Sequence, residues 1–97
     1  MNMKASALLT DETKWCQGSL AVNVGGISVS PYEVGAVKWC ITGAAMRCQY
    51  TPKETEEFLT KLYKIVISDK VQSVVAWQDT PTRTFSEVRE LLLRIGH

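Results

Sequence analysis

Apolar positions along the chain fall into short stretches whose period changes several times, and each change marks an element. Residues 4–9 place Ala5, Leu8 and Leu9 on one side of a short opening helix, ahead of the charged stretch Thr10-Asp11-Glu12-Thr13-Lys14. Two runs, Ser19-Leu20-Ala21-Val22-Asn23-Val24 and Ile27-Ser28-Val29-Ser30, flank Gly25-Gly26, and in the second apolar and polar residues alternate. That pattern predicts a small β-hairpin, which needs an apolar surface beneath it because an isolated pair of strands is marginal in water.

Three capping-box sequences predict three helix starts. Ser30-Pro31-Tyr32-Glu33 sets proline at the first helical position, with a hydroxyl and a carboxylate placed to satisfy free backbone N–H groups. Wound as a helix from Pro31 onward, Val34, Val37, Ile41, Ala44, Ala45 and Cys48 share one face. Gly35, Trp39, Gly43 and Met46 make a second apolar strip, with Lys38 and Thr42 between. A helix apolar on two sides is central, and Gly35 and Gly43 would let another backbone approach it. Thr51-Pro52-Lys53-Glu54 repeats the device and opens an amphipathic helix with Phe58, Leu59, Leu62, Tyr63, Ile65 and Val66 on its inner arc. Residues 67–78 fit either period, and a short helix is the preferred reading there. Pro81 then forces a turn, and Thr84-Phe85-Ser86-Glu87 starts a last helix that buries Phe85, Val88, Leu91, Leu92 and Ile95. The expected fold is mainly α (α+β): a compact bundle of four to five helices around a central helix, with one small β-hairpin.

Composition narrows the chemistry more than it identifies it. At 97 residues the chain is a single domain, 1–97, and its 45% hydrophobic content suffices for a core. A net charge of +1 lacks the basic excess of a protein built to coat phosphate backbone, so nucleic acid is not an expected partner. No run reaches the ~20 apolar residues of a membrane span. Cys16, Cys40 and Cys48 form an odd set without C-x-x-C spacing, which points to a reducing, cytoplasmic location. The sole histidine is His97, at an end expected to be mobile, so a Ser-His or Cys-His site lacks its base. No metal site and no cofactor are expected, there being neither a converging set of Cys and His ligands nor a phosphate-binding glycine loop.

What remains is an unusual tryptophan content and a few polar groups near it. Trp15, Trp39 and Trp77 offer large apolar faces suited to a core, a ligand pocket or a partner-binding patch. Asp79 and Arg83 bracket the Pro81 turn and are spaced to pair, as a structural clasp or as an anion or substrate clamp. Cys16, beside Lys14, is the first choice for a reactive thiol, against the blander role of a small buried hydrophobe. The tripeptide Lys-Trp-Cys occurs at Lys14-Trp15-Cys16 and again at Lys38-Trp39-Cys40, with flanks that do not repeat, which favours coincidence over duplication.

Three tryptophan motifs recur in order along nearly the whole chain: Trp15-x-x-Gly18, Trp39-Cys40-x-x-Gly43-Ala44, and Trp77-Gln78-Asp79-x-x-x-Arg83-Thr84. In these the chain resembles a small bacterial and phage family known only as a domain of unknown function. Ser19 stands where that family's pattern has alanine, and Gln78 where it has asparagine. The resemblance implies a shared fold and a prokaryotic or phage origin, and no activity. The expected function is a non-catalytic cytosolic module that binds a protein partner or a small ligand through a patch at Trp15, Trp77, Asp79 and Arg83. The alternatives are a small enzyme using Cys16 or Asp79 with Arg83, and a phage-encoded inhibitor of a host system or nucleic-acid-associated regulator.

Overall fold

The computed structural model describes residues 3–68 and 73–97. Helix α1 (Ala5–Leu8) and a single 3₁₀ turn (Glu12–Lys14) lead into a two-stranded antiparallel sheet, β1 (Ala21–Asn23) and β2 (Ala36–Trp39). Four helices follow: α2 (Ile41–Arg47), α3 (Pro52–Ser68), α4 (Val74–Gln78) and α5 (Phe85–Arg94). This is the α+β arrangement expected, five helices with a small sheet, and α2 lies at its centre with Ile41, Gly43, Ala44 and Ala45 buried.

The helix expected from Pro31 begins ten residues later. Ser30 does not cap a helix: its hydroxyl accepts from the Tyr32 N–H at 3.2 Å and closes a local turn. Behind that turn, Val34, Gly35 and Val37 disfavour helix by β-branching or by backbone entropy. Strand pairing wins instead, and Ala36–Trp39 adds to β1 with Ala21 opposite Trp39, Val22 opposite Lys38 and Asn23 opposite Ala36. Val34, placed by the helical reading on a buried face, is 95% exposed. The strand partner of residues 19–24 also differs from expectation. Gly25-Gly26 does form the turn, with Asn23 Oδ1 accepting from the N–H groups of Gly25 and Ile27, but residues 27–30 contribute one bridge, Val22 to Ser28.

The two Lys-Trp-Cys tripeptides meet in space. Trp15 bridges Trp39 in parallel register, and the Cys16 N–H donates to the Trp39 carbonyl at 3.2 Å, so β2 is flanked by β1 on one edge and by residues 15–16 on the other. Trp39 turns inward and its indole N–H donates to the Pro31 carbonyl at 3.1 Å.

The other two capping boxes form as written. Thr51 and Glu54 exchange hydrogen bonds at 2.9 and 3.1 Å, and Thr84 with Glu87 does the same at 3.0 and 3.3 Å. Phe58, Leu62 and Val66 on α3 and Val88 and Leu92 on α5 are removed from solvent entirely and close over Leu9, Ile41 and Trp77. Each such side chain contributes about 1.5–3 kcal/mol of burial. Tyr63, expected on the inner arc, is 47% exposed. Within residues 67–78 the helical reading holds at Val74–Gln78, where the Ser73 hydroxyl caps the Ala76 N–H; its part at Val71 and Gln72 lies outside the described residues.

His97 is held rather than frayed. Gly96, at φ +80°, takes the left-handed position after α5, so that the N–H groups of Gly96 and His97 return to the carbonyls of Leu93 and Leu92 at 3.2 and 2.8 Å. The His97 Nδ1 lies 2.9 Å from the Tyr50 hydroxyl, which in turn accepts from the Ala5 N–H at 3.0 Å.

Candidate functional site

The buried amide of Gln78, 3% exposed at the end of α4, joins three distant segments. Its Oε1 accepts from the Trp15 indole N–H at 3.0 Å and from the Ile41 N–H, the first amide of α2, at 3.1 Å. Its Nε2 donates to Asp79 Oδ1, which also accepts from the Gly18 N–H at 3.1 Å. Gln17 completes the junction by donating to the carbonyls of Gln78 and Thr80 at 2.7 and 3.0 Å. The bond to the Ile41 N–H is buried and the one to the Trp15 indole is half-buried, so the amide supplies an acceptor where solvent reaches poorly.

The spacing Trp15-x-x-Gly18 acquires a physical reason here. Gly18 sits at φ +80°, a left-handed conformation that points its N–H at Asp79 while Trp15, three residues earlier, reaches Gln78. The middle motif joins the same junction. The Cys40 thiol accepts from the Gly43 N–H at 3.2 Å as the N-cap of α2, and Leu20 is so close to Gly43 that a Cβ there would stand 2.8 Å from the Leu20 carbonyl carbon. At Gly35, by contrast, a Cβ would meet nothing within 4 Å, so the close approach expected at both glycines occurs at Gly43 alone.

Arg83 and Asp79 do not pair. The Arg83 guanidinium lies over the Trp77 ring at 3.8 Å, its Nε donates to the Trp77 carbonyl at 3.0 Å, and its Nη1 bridges to Glu87 Oε2 at 2.8 Å. Glu87 is held below the usual carboxylate range, first by the Thr84 backbone N–H and then by Arg83. Both carboxylates lie four residues from Arg83; Glu87 is the one it meets, because the guanidinium, held on the Trp77 ring and carbonyl, faces the first turn of α5. Among the described residues no cation pairs with Asp79.

A cleft of about 230 Å³ opens beside this junction. Leu20, Ile41, Val74 and Val75 supply apolar walls, Cys40 and Thr42 line it at the start of α2, and Gln78 and Asp79 close one side. Of the four residues singled out in the sequence, Asp79 lines the cleft and Trp15 is tied to its wall through Gln78. Trp77, 4% exposed, and Arg83, stacked on it, belong to the packing behind. Sequence reasoning missed Leu20, Thr42 and Val75, which are ordinary residues until the fold brings them together.

The thiols are poor nucleophiles. Burial is the main cause that pushes Cys16 up to about 11, with the Cys40 and Asp79 charges adding to it and Lys38 opposing. Cys40 is raised chiefly by burial as well, and Asp79 again adds to the shift. At neutral pH both are protonated, so the Cys16 route to covalent chemistry lacks its thiolate. The described residues hold no group of three or more Cys, His, Asp or Glu side chains arranged to bind a metal, and no helix among them is long and apolar enough to cross a membrane.

No curated protein and no solved structure matches the chain. Residues 3–96 match the profile of a family of unknown function, DUF6197, in agreement with the resemblance carried by the tryptophan motifs. Nearly the whole fold, including the Gln78 junction and the cleft beside it, falls within that match, and the chain belongs to the DUF6197 family.

Proposed function

We propose that the protein is a non-catalytic binding module of bacterial or phage origin, working in the cytoplasm, that takes a small ligand in the cleft beside Gln78 and Asp79. The single observation that carries this reading is the cleft itself: apolar walls with a few converging polar groups, the usual composition of a ligand site. In this reading Trp15, Trp77 and Arg83 serve as the frame, since all three are engaged in internal contacts, and Asp79 is the member of the set that meets the ligand. The raised thiols argue against a cysteine enzyme, and the near-neutral chain argues against binding to nucleic acid.

A saturation-transfer NMR screen of small apolar fragments tests it, run on the wild type and on Leu20→Glu. Leu20 is 43% exposed on the cleft wall, so a glutamate there keeps its charge in water while altering the site. Fragments that bind the wild type and lose their signal with Leu20→Glu are the expected result. Fragments that bind both proteins equally, or none that bind at all, would overturn the proposal.

A further inference from the structure

We infer that the ligand of the cleft is a small molecule bearing one protonated amine on a short apolar body; this rests on the cleft being the binding site. Three observations support the class. Among the described residues Asp79 is the one charged side chain on the lining, and its described neighbours there include Leu20, Ile41, Val74 and Val75, which offer an apolar body contact. The cation that the sequence places within reach, Arg83, is committed elsewhere, to the Trp77 ring and to Glu87, so among the described residues Asp79 keeps an unneutralised carboxylate. The carboxylate is also oriented in advance. Its Oδ1 accepts from the Gly18 N–H and from Gln78, which fixes the group without cancelling its charge.

Asp79 shares the lining with Cys40, whose thiol is raised chiefly by burial with the Asp79 charge adding to it, so the carboxylate faces the cleft that a ligand would enter. A cation entering there gains from that charge and from partial exclusion of water, while an anion meets repulsion. The apolar walls add non-directional burial of the ligand's body. Size sets the third limit, since about 230 Å³ lies below the usual range for drug-sized ligands and suits one ring or a branched alkyl group.

The test is isothermal titration calorimetry with 2-phenylethylamine and with its neutral isostere 2-phenylethanol. The wild type is expected to bind the amine about tenfold more tightly than the alcohol, the worth of one hydrogen bond to a charged group. Asp79→Asn keeps an acceptor for the Gly18 N–H and is expected to bring the two affinities together. Because that variant also touches the Gln78 junction, Val75→Lys provides a second arm: Val75 is 60% exposed at the cleft, and a lysine there should weaken amine binding by a larger factor than it weakens alcohol binding, since both lose the same apolar wall and the amine alone meets the new charge. Equal affinity of the wild type for amine and alcohol would overturn the inference and leave the cleft standing as the binding site. Absence of binding by both probes, alongside fragments that do bind in the screen with Leu20→Glu as its control, would also overturn the amine class alone.

Discussion

Replacing Gly43 with alanine tests the contact on which the cleft is built. A methyl group at that position would overlap the Leu20 carbonyl oxygen and stand 2.8 Å from its carbon and 3.3 Å from its Cα, all of them backbone atoms that cannot rotate away. The same carbonyl accepts from the Cys40 N–H at 3.2 Å, so relief of the overlap moves α2 and the loop apart and lengthens that bond. Overpacking of this kind costs about 1–3 kcal/mol, and a rigid obstacle places the site at the upper end. Loss of the hydrogen bond adds about 1 kcal/mol, and the better helix propensity of alanine returns about the same. The net expectation is a destabilisation of about 3 kcal/mol, or a fall in Tm of roughly 12–24 °C for a domain of this size. Urea titration followed by circular dichroism measures it, with an unchanged slope showing that both proteins unfold over the same surface. Gly35→Ala is the control: open space surrounds it, and it should be neutral or stabilising by about 0.4–1 kcal/mol. Stability of Gly43→Ala within about 0.5 kcal/mol of wild type would refute the close approach of α2 to Leu20.

Gln78→Ala removes the acceptor shared by the half-buried Trp15 indole and the buried Ile41 N–H, leaving one donor unpaired in the interior and a second partly so, and should cost about 1–3 kcal/mol by the same titration. A loss under about 0.5 kcal/mol would mean that water replaces the amide freely. Cys16, pushed up from 9.0 to about 11 chiefly by burial, should react with iodoacetamide at pH 7 roughly a hundredfold more slowly than an unperturbed thiol, the rate climbing until the pH nears 11. Reaction at the rate of free cysteine would contradict the burial. His97 is lowered from 6.5, mainly by burial, so the folded state favours the neutral ring. The stability it contributes is therefore complete above pH 6.5 and lost as pH falls through the lower folded value, and His97→Gln should flatten that part of the stability profile. An identical acid slope in both proteins would remove His97 from the account.

Local signals in the sequence were sufficient where a cap is followed by a long amphipathic run. Thr51 and Thr84 each precede helices of ten residues or more whose apolar faces repeat without interruption, so capping and burial favour the same start. At Ser30 the two disagree. The cap sequence is present, but Val34, Gly35 and Val37 make a poor helix, and pairing with a distant strand satisfies the backbone better. The helical pattern of Ile41–Arg47, which follows directly, masks that weakness in the sequence. The ordering of His97 follows from Gly96, a terminator whose partner carbonyls become evident only once α5 is in place. Asp79 was legible as a candidate from its turn. Its separation from Arg83 was not, because the choice of Glu87 as partner depends on where α5 starts and on the Trp77 ring being available for stacking. The cleft drew still less from local pattern: Leu20 lies in the bend before β1, Thr42 on α2 and Val75 on α4, and only tertiary contact gives them a common role.

The most direct test of the account is a map of backbone amide shifts in ¹⁵N-labelled protein titrated with 2-phenylethylamine and 2-phenylethanol. Binding in the cleft predicts saturable shifts clustered at Gly18, Ser19, Leu20, Ile41, Thr42, Val74 and Val75, with little change on the outer face of α5 around Arg89 and Arg94. Saturable shifts that cluster on that outer face instead would contradict the assignment of the cleft as the binding site.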